Sequence, residues 1–163
     1  MSVYDDLADL SVDDRQLFDR AAQELALRGE WHRLFDLRLM QTRRQLRLPW
    51  EHRGSISDVD SPLREQLEEG YLAACREVGQ LLIEAGRFRD AWMYLRPGGD
   101  KQLIRDQLAR VVPDDDNADE LIELSLYEGI DPERGFAWQL GRHGTCNSIT
   151  TLEGLHAQLD PEG

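Results

Sequence analysis

Residues 79–95 read GQLLIEAGRFRDAWMYL, and their spacing decides the architecture. Gly79 and Leu82 lie on one helical face, Gly86 supplies a left-handed stop, and Phe88, Ala91, Trp92 and Leu95 resume at helical spacing. This is the pattern of two antiparallel helices joined by a tight turn. A second copy lies upstream, where residues 22–35 read AQELALRGEWHRLF, with Gly29 at the hinge and Trp31 behind it. A looser third copy runs from Leu126 to Trp138 around Gly129.

Working outward, Ser11-Val-Asp-Asp14 resembles a capping box and predicts a helix from about residue 12, with Phe18, Ala21, Ala22 and Leu25 inward. The next helix runs from Trp31 through Leu34, Phe35 and Leu39 to about Leu48, where Pro49 ends it. Residues 49–61 read as a loop. Ser61-Pro62 then starts a long helix with Leu67, Tyr71, Ala74, Val78, Leu81, Leu82 and Ala85 as its apolar stripe. Further helices are expected over 100–111, from Asp116 or Asn117 to Gly129, from Pro132 through Phe136, Ala137 and Leu140, and over about 146–158. Gly144 separates the last two. No segment alternates with period two, so no sheet is expected.

Numbered from the start of each hairpin, the second copy resembles a tetratricopeptide (TPR) unit. That family prefers a small residue at its eighth position, a large one at the eleventh, small ones at the fifteenth and twentieth, and an aromatic or leucine at the twenty-fourth. Gly79, Leu82, Gly86, Ala91 and Leu95 fall in this register. Ala22, Leu25 and Gly29 match in the first copy, whereas Leu34 replaces the small residue and Arg38 follows. The hinge glycines Gly29, Gly86 and Gly129 are 57 and 43 residues apart, against a TPR period of roughly 34. The resemblance therefore implies an all-α chain of antiparallel helical hairpins stacked as an irregular TPR-like α-solenoid. One domain spans 1–163, with hairpins at about 11–48, 62–96, 100–127 and 132–158. It implies protein–protein interaction on a concave surface and carries over no ligand-binding residue.

Composition narrows the function. The formal net charge of −13 argues against wholesale nucleic-acid binding, whose affinity comes from basic residues on phosphates. The acidic N-terminus is not a secretory signal, and no run approaches the ~18 apolar residues that span a bilayer. A cytoplasmic protein is expected. Charge is uneven: residues 28–53 hold seven Arg against three acids, and residues 114–133 hold nine acids and no base. Arg33, Arg44 and Arg47 share one broad helical face with Arg43 beside it, and Trp50 follows in the loop. These five are the candidate partner-binding residues, and an acidic peptide, or the 114–133 segment of a second copy, is the partner they would take.

Chemistry is sparse. His143-x-x-Cys146 is the best nucleophile motif, since a helix N-terminus and a neighbouring His both favour a thiolate, but no oxyanion donors accompany it. His143, Cys146 and His156 offer three zinc ligands at no common spacing, with Cys75, His32 or His52 needed to complete them. A calcium loop starting at Asp114 fails, because its sixth and twelfth positions hold Asp119 and Ser125. Pro97-Gly-Gly-Asp-Lys101 lacks phosphate-loop spacing. No enzyme activity, cofactor or metal is expected. A small enzyme or metal protein centred on His143 and Cys146, and an RNA binder using the Arg-rich helix, are the alternatives. Ile149, Leu152 and Leu155 on the last helix lack an evident neighbour, which calls for further chain or a partner.

Overall fold

A computed structural model describes residues 13–48 and 60–159, the side chains of Asp13 and of 155–159 excepted. The Ser11 cap, most of the 49–61 loop, Trp50, His52 and the side chains of Leu155 and His156 lie outside that description. All regular structure among the described residues is helical. The chain divides into two compact units, one up to Gly98 and one from Gly99 on.

In the first unit, α1 (Asp13–Leu27) and α2 (Trp31–Gln45) make one hairpin, and α3 (Ser61–Glu84) and α4 (Phe88–Leu95) make another. Helix α2 also packs along α3, so consecutive helices stack side by side. Asp60 rather than Ser61 stands at the N-cap of α3, one residue earlier than expected. A 3₁₀ turn over Arg96–Gly98 closes the unit.

Each hairpin turns on a left-handed glycine. Gly29 has φ 68° and Gly86 has φ 72°. Around Gly29, the Glu30 N–H donates to the Leu25 carbonyl at 2.9 Å and the Gly29 N–H to Ala26 at 3.1 Å. Around Gly86, the Arg87 N–H reaches Leu82 at 2.9 Å and the Gly86 N–H reaches Ile83 at 2.9 Å. This double bond pattern satisfies carbonyls that a helix end otherwise leaves orphaned. The end of α2 repeats it with Leu48 to Arg43 at 2.9 Å and Arg47 to Arg44 at 3.0 Å, but the left-handed residue there is Arg47, φ 55°.

Small residues set the helix spacing. A Cβ on Gly79 would lie 2.5 Å from Leu95 Cγ, and one on Gly70 would lie 2.4 Å from Thr42 Cγ2. Val78, Leu82, Ala91, Trp92 and Leu95 are buried around the first of these contacts. Of the expected α3 stripe, Ala85 and Tyr71 are exposed, and Ile83 is buried instead. Trp31 is only half-buried. It lies against Gly29, with the Arg87 guanidinium 5.0 Å above its ring, which brings the two hinges side by side.

The second unit holds α5 (Lys101–Leu108), α6 (Ala118–Ile122) and α7 (Pro132–Leu159). Asp114 organises the entry to α6: its Oδ1 accepts the N–H of Asp116 at 3.0 Å and of Asn117 at 2.9 Å, and Asn117 Oδ1 accepts the Asp114 N–H in return. The acidic run thus builds a turn. After Ile122 the helix widens into a π-helical turn over Glu123–Tyr127 before Gly129 reverses the chain. Leu124, Ser125 and Leu126, successive residues of this turn, are all buried. Helix α7 crosses that turn so closely that a Cβ on Gly135 would meet the Leu126 backbone nitrogen at 2.6 Å.

Helix α7 breaks at Gly144, where φ is 76° and ψ 175°. Gln139 Nε2 donates to Thr151 Oγ1 at 3.2 Å. Twelve residues of straight helix would put them about 18 Å apart, so the two halves of α7 fold back on each other. The sides differ from expectation. Gly135, Gln139 and Ser148 are buried, whereas Ala137, Leu140, Ile149 and Leu152 are exposed.

Three stability changes follow. Arg47→Gly relieves a left-handed side chain and should stabilise by about 1 kcal/mol, while Gly29→Ala should cost about as much, both read from urea unfolding midpoints at unchanged slope. Ser125 is fully buried and its Oγ finds no hydrogen-bond partner among the described residues. Ser125→Ala should therefore raise the unfolding free energy, by on the order of 1 kcal/mol, in the same assay.

Candidate interaction surface

Helix α2 carries the arginines, and the acids of the neighbouring helices claim them. Arg38, at the position where the TPR register has a large apolar residue, points across to α3. Its Nε and one terminal nitrogen donate to the two Glu77 oxygens at 2.8 and 2.9 Å, and its other terminal nitrogen reaches Gln41 at 2.8 Å and Asp19 at 3.4 Å. The side chain is only 23% exposed. Donating to the Glu77 carboxylate pushes the guanidinium pKa up against the opposing effect of burial. One side chain thereby ties α1, α2 and α3 together.

Arg44 is engaged in the same way. Its Nε and a terminal nitrogen hold Asp14 Oδ2 at 3.0 and 2.8 Å, with both side chains at least three-quarters covered. Arg33 is exposed and pairs with Glu30 one turn earlier. Arg43 is half-buried and Arg47 is exposed on the left-handed residue after the helix. The sequence-predicted face therefore divides: Arg44 fastens α2 to α1, Arg33 and Arg47 stand outward, and Trp50 is outside the described residues.

Beside Arg38 a groove of about 240 Å³ opens between α1 and α3. Ala22, Ala26 and Leu81 give it apolar lining, Gln23 and Gln80 carry amides at its exposed edges, and Glu84 adds a carboxylate. Periodicity alone missed this site. The available signal was Arg38 itself, a charge at a position where the repeat buries an apolar group.

An aromatic cluster holds the other side of α2. Phe35 lies 5.6 Å edge-on from Tyr71 and 5.2 Å from Tyr94, and the Tyr94 hydroxyl hydrogen-bonds His32 Nδ1. Burial raises the pKa of Tyr94 and of Tyr71, and it raises that of Cys75 against the hydrogen bond from Tyr71. Cys75 is therefore a protonated core thiol, as its apolar neighbours suggest.

In the second unit, Trp138 stands between two open clefts. Arg134 lies over its ring at 5.9 Å and bonds the buried Asp131 at 3.1 Å, and Arg105 reaches Asp131 from α5 at 3.5 Å. Arg142 holds Asp119 at 3.0 Å and Asp115 at 3.3 Å. Each cation lining these clefts already faces a carboxylate.

His143 and Cys146 fall on opposite sides of the Gly144 break, and Cys146 is exposed. Their carbonyls accept from Asn147 and Thr150. Among the described residues no three His, Cys, Asp or Glu side chains gather in a way that could hold a metal ion. No described helix is long and apolar enough to cross a membrane. The chain matches no family model, no curated protein and no solved structure.

The Arg38 lock has a measurable weight. Arg38→Ala leaves the half-buried Glu77 without its bidentate donor and should destabilise by about 2 kcal/mol. Arg33→Ala, which removes a surface pair, should cost less than about 0.5 kcal/mol by the same denaturant titration.

Proposed function

We propose that this chain is a non-enzymatic protein–protein interaction module of TPR-like type, working in the cytoplasm, whose first unit holds a peptide segment in the groove between α1 and α3. The observation that carries this reading is the groove itself, an apolar-floored channel beside Arg38, which bonds Glu77 on the α3 wall and reaches Asp19 on the α1 wall at 3.4 Å. A site fixed in advance loses little entropy on binding. The TPR-like part rests on the second hairpin. Gly79 meets Leu95, Leu82 and Ala91 are buried, and Gly86 makes the hinge, which supports reading this hairpin in the small–large register.

The partner's chemistry follows from the lining. Arg38 is occupied, and the groove's remaining charge is the exposed Glu84. A neutral or basic segment with small apolar side chains suits it better than the acidic peptide that the arginine-rich helix suggests from sequence.

A displayed random-peptide library panned on the full chain tests this. Selected peptides should be poor in Asp and Glu, and Ala26→Trp, which fills the groove, should weaken their binding at least tenfold with helicity unchanged. Peptides that are acidic, and lose binding in Arg33→Glu with Arg47→Glu but not in Ala26→Trp, would move the site to α2. No peptide distinguishing wild type from either variant would end the proposal.

A further inference from the structure

The second unit has carboxylates left over once its own arginines are matched. Its two open clefts, of about 510 and 560 Å³, meet on α7, where Ala137 and Trp138 line both. Buried Asp131 takes Arg105 at 3.5 Å and Arg134 at 3.1 Å, and Arg142 is held by Asp119 at 3.0 Å and Asp115 at 3.3 Å. Those bonds engage every arginine that lines the clefts. Three more carboxylates line them, all exposed, and none meets a cation among the described residues. Asp106 accepts the Gln102 amide at 2.6 Å, Asp114 accepts the backbone N–H groups of Asp116 and Asn117, and Glu133 has no partner among those residues.

The unmatched charge defines the ligand. Residues 99–163 hold fourteen acids against five bases, so the field around the clefts attracts cations and repels nucleic acid and anionic membrane. The carboxylates are spread out: among the described residues no three acidic, His or Cys side chains gather in a way that could hold a metal ion. Asp106 and Glu133 line one cleft and Asp114 the other, which suits several cations on one extended partner. Between them lies apolar surface. Trp138 is half-buried and Ala137 exposed, with Ala109 exposed in one cleft and Pro113 in the other. Arg134, fixed by Asp131, stands over the Trp138 ring at 5.9 Å and limits the ring's freedom before a partner arrives. An anchored tryptophan between apolar walls, rimmed by charge of one sign, is how a peptide-binding surface is built.

We propose that the paired clefts around Trp138 dock a basic peptide segment of a partner protein. An apolar side chain of that segment lies against Trp138, and lysine or arginine side chains reach Asp106 and Glu133 on one flank and Asp114 on the other. The long stems of those cations cover Ala109 and Pro113 while their charged ends stay at the wet rim. This site lies wholly in the second unit and stands independently of the groove between α1 and α3.

The test uses the full chain and a fluorescein-labelled peptide carrying two lysines on each side of a leucine. Binding is read by fluorescence anisotropy at about 0.15 M salt, where charges more than about 8 Å apart are largely screened. Asp106→Lys with Glu133→Lys should weaken binding by about tenfold or more. Glu68→Lys with Glu69→Lys, the same charge change on exposed α3 residues of the first unit, should weaken it by less than about twofold. Should the first pair lose helical circular dichroism, Asp106→Asn with Glu133→Gln replaces it, against Glu68→Gln with Glu69→Gln. Replacing the peptide's leucine by glycine should cost about fivefold, through the lost contact with Trp138. Equal weakening by the two pairs would mean diffuse attraction and overturn the site. So would indifference to the leucine, displacement of the peptide by an equal concentration of spermine, or no binding at all. A peptide lost in Ala26→Trp but kept in Asp106→Lys with Glu133→Lys would belong to the first-unit groove, and would overturn this site alone.

Discussion

A polypeptide can leave a helix and return alongside it only if one residue reverses the backbone twist. In this chain that constraint falls on the residue after the helix cap. With φ between 55° and 72° at Gly29, Arg47 and Gly86, two backbone bonds close each helix end without help from side chains. The rest of the first unit depends on that reversal. It brings Gly79 under Leu95, sets Trp31 beneath Arg87, and turns α2 so that Arg38 faces Glu77. Glycine makes the reversal nearly free at two of the three ends, and the third, Arg47, holds a residue with a Cβ in the strained left-handed region.

Electrostatics then distribute the work. A chain with 32 acids and 19 basic residues has carboxylates to spare, and its arginines are drawn into bonds between helices. Arg38 and Arg44 fasten α2 to its neighbours, while Arg105, Arg134 and Arg142 meet Asp131, Asp119 and Asp115 in the second unit. Arginine suits this role because its planar fork makes two directed bonds to one carboxylate. In the arginine-rich segment, Arg38 and Arg44 are thereby committed to holding helices together.

The hinges, the helix order and the buried faces of 79–95 were legible because a glycine stop and a 3.6-residue period both act locally. The groove was not, since Arg38 reads as one more surface charge until Glu77, 39 residues away, is known to face it. Nor was the π-helical turn. The run Leu121, Ile122, Leu124, Leu126 fits no single narrow α-helical stripe, and Gly135 crosses close over the Leu126 backbone where the run ends. The division into two units at Gly98–Gly99 follows from which helices pack together, a property of no one segment.

The reversed polarity of the last hairpin follows from local hydrogen bonding rather than in spite of hydrophobicity. Ser148 Oγ donates to the Gly144 carbonyl at 2.8 Å and Thr151 Oγ1 to the Asn147 carbonyl at 3.0 Å, each within one turn of its own helix. A hydroxyl already bonded to its own backbone can be buried at small cost, and its small bulk lets two helices approach closely. Gln139 completes the seam by giving its amide to Thr151. Once small polar groups can line the inside, nothing requires Leu140, Ile149 and Leu152 to be there. An apolar period in a sequence locates the face that will be covered, and it is silent on whether the cover comes from the same helix pair.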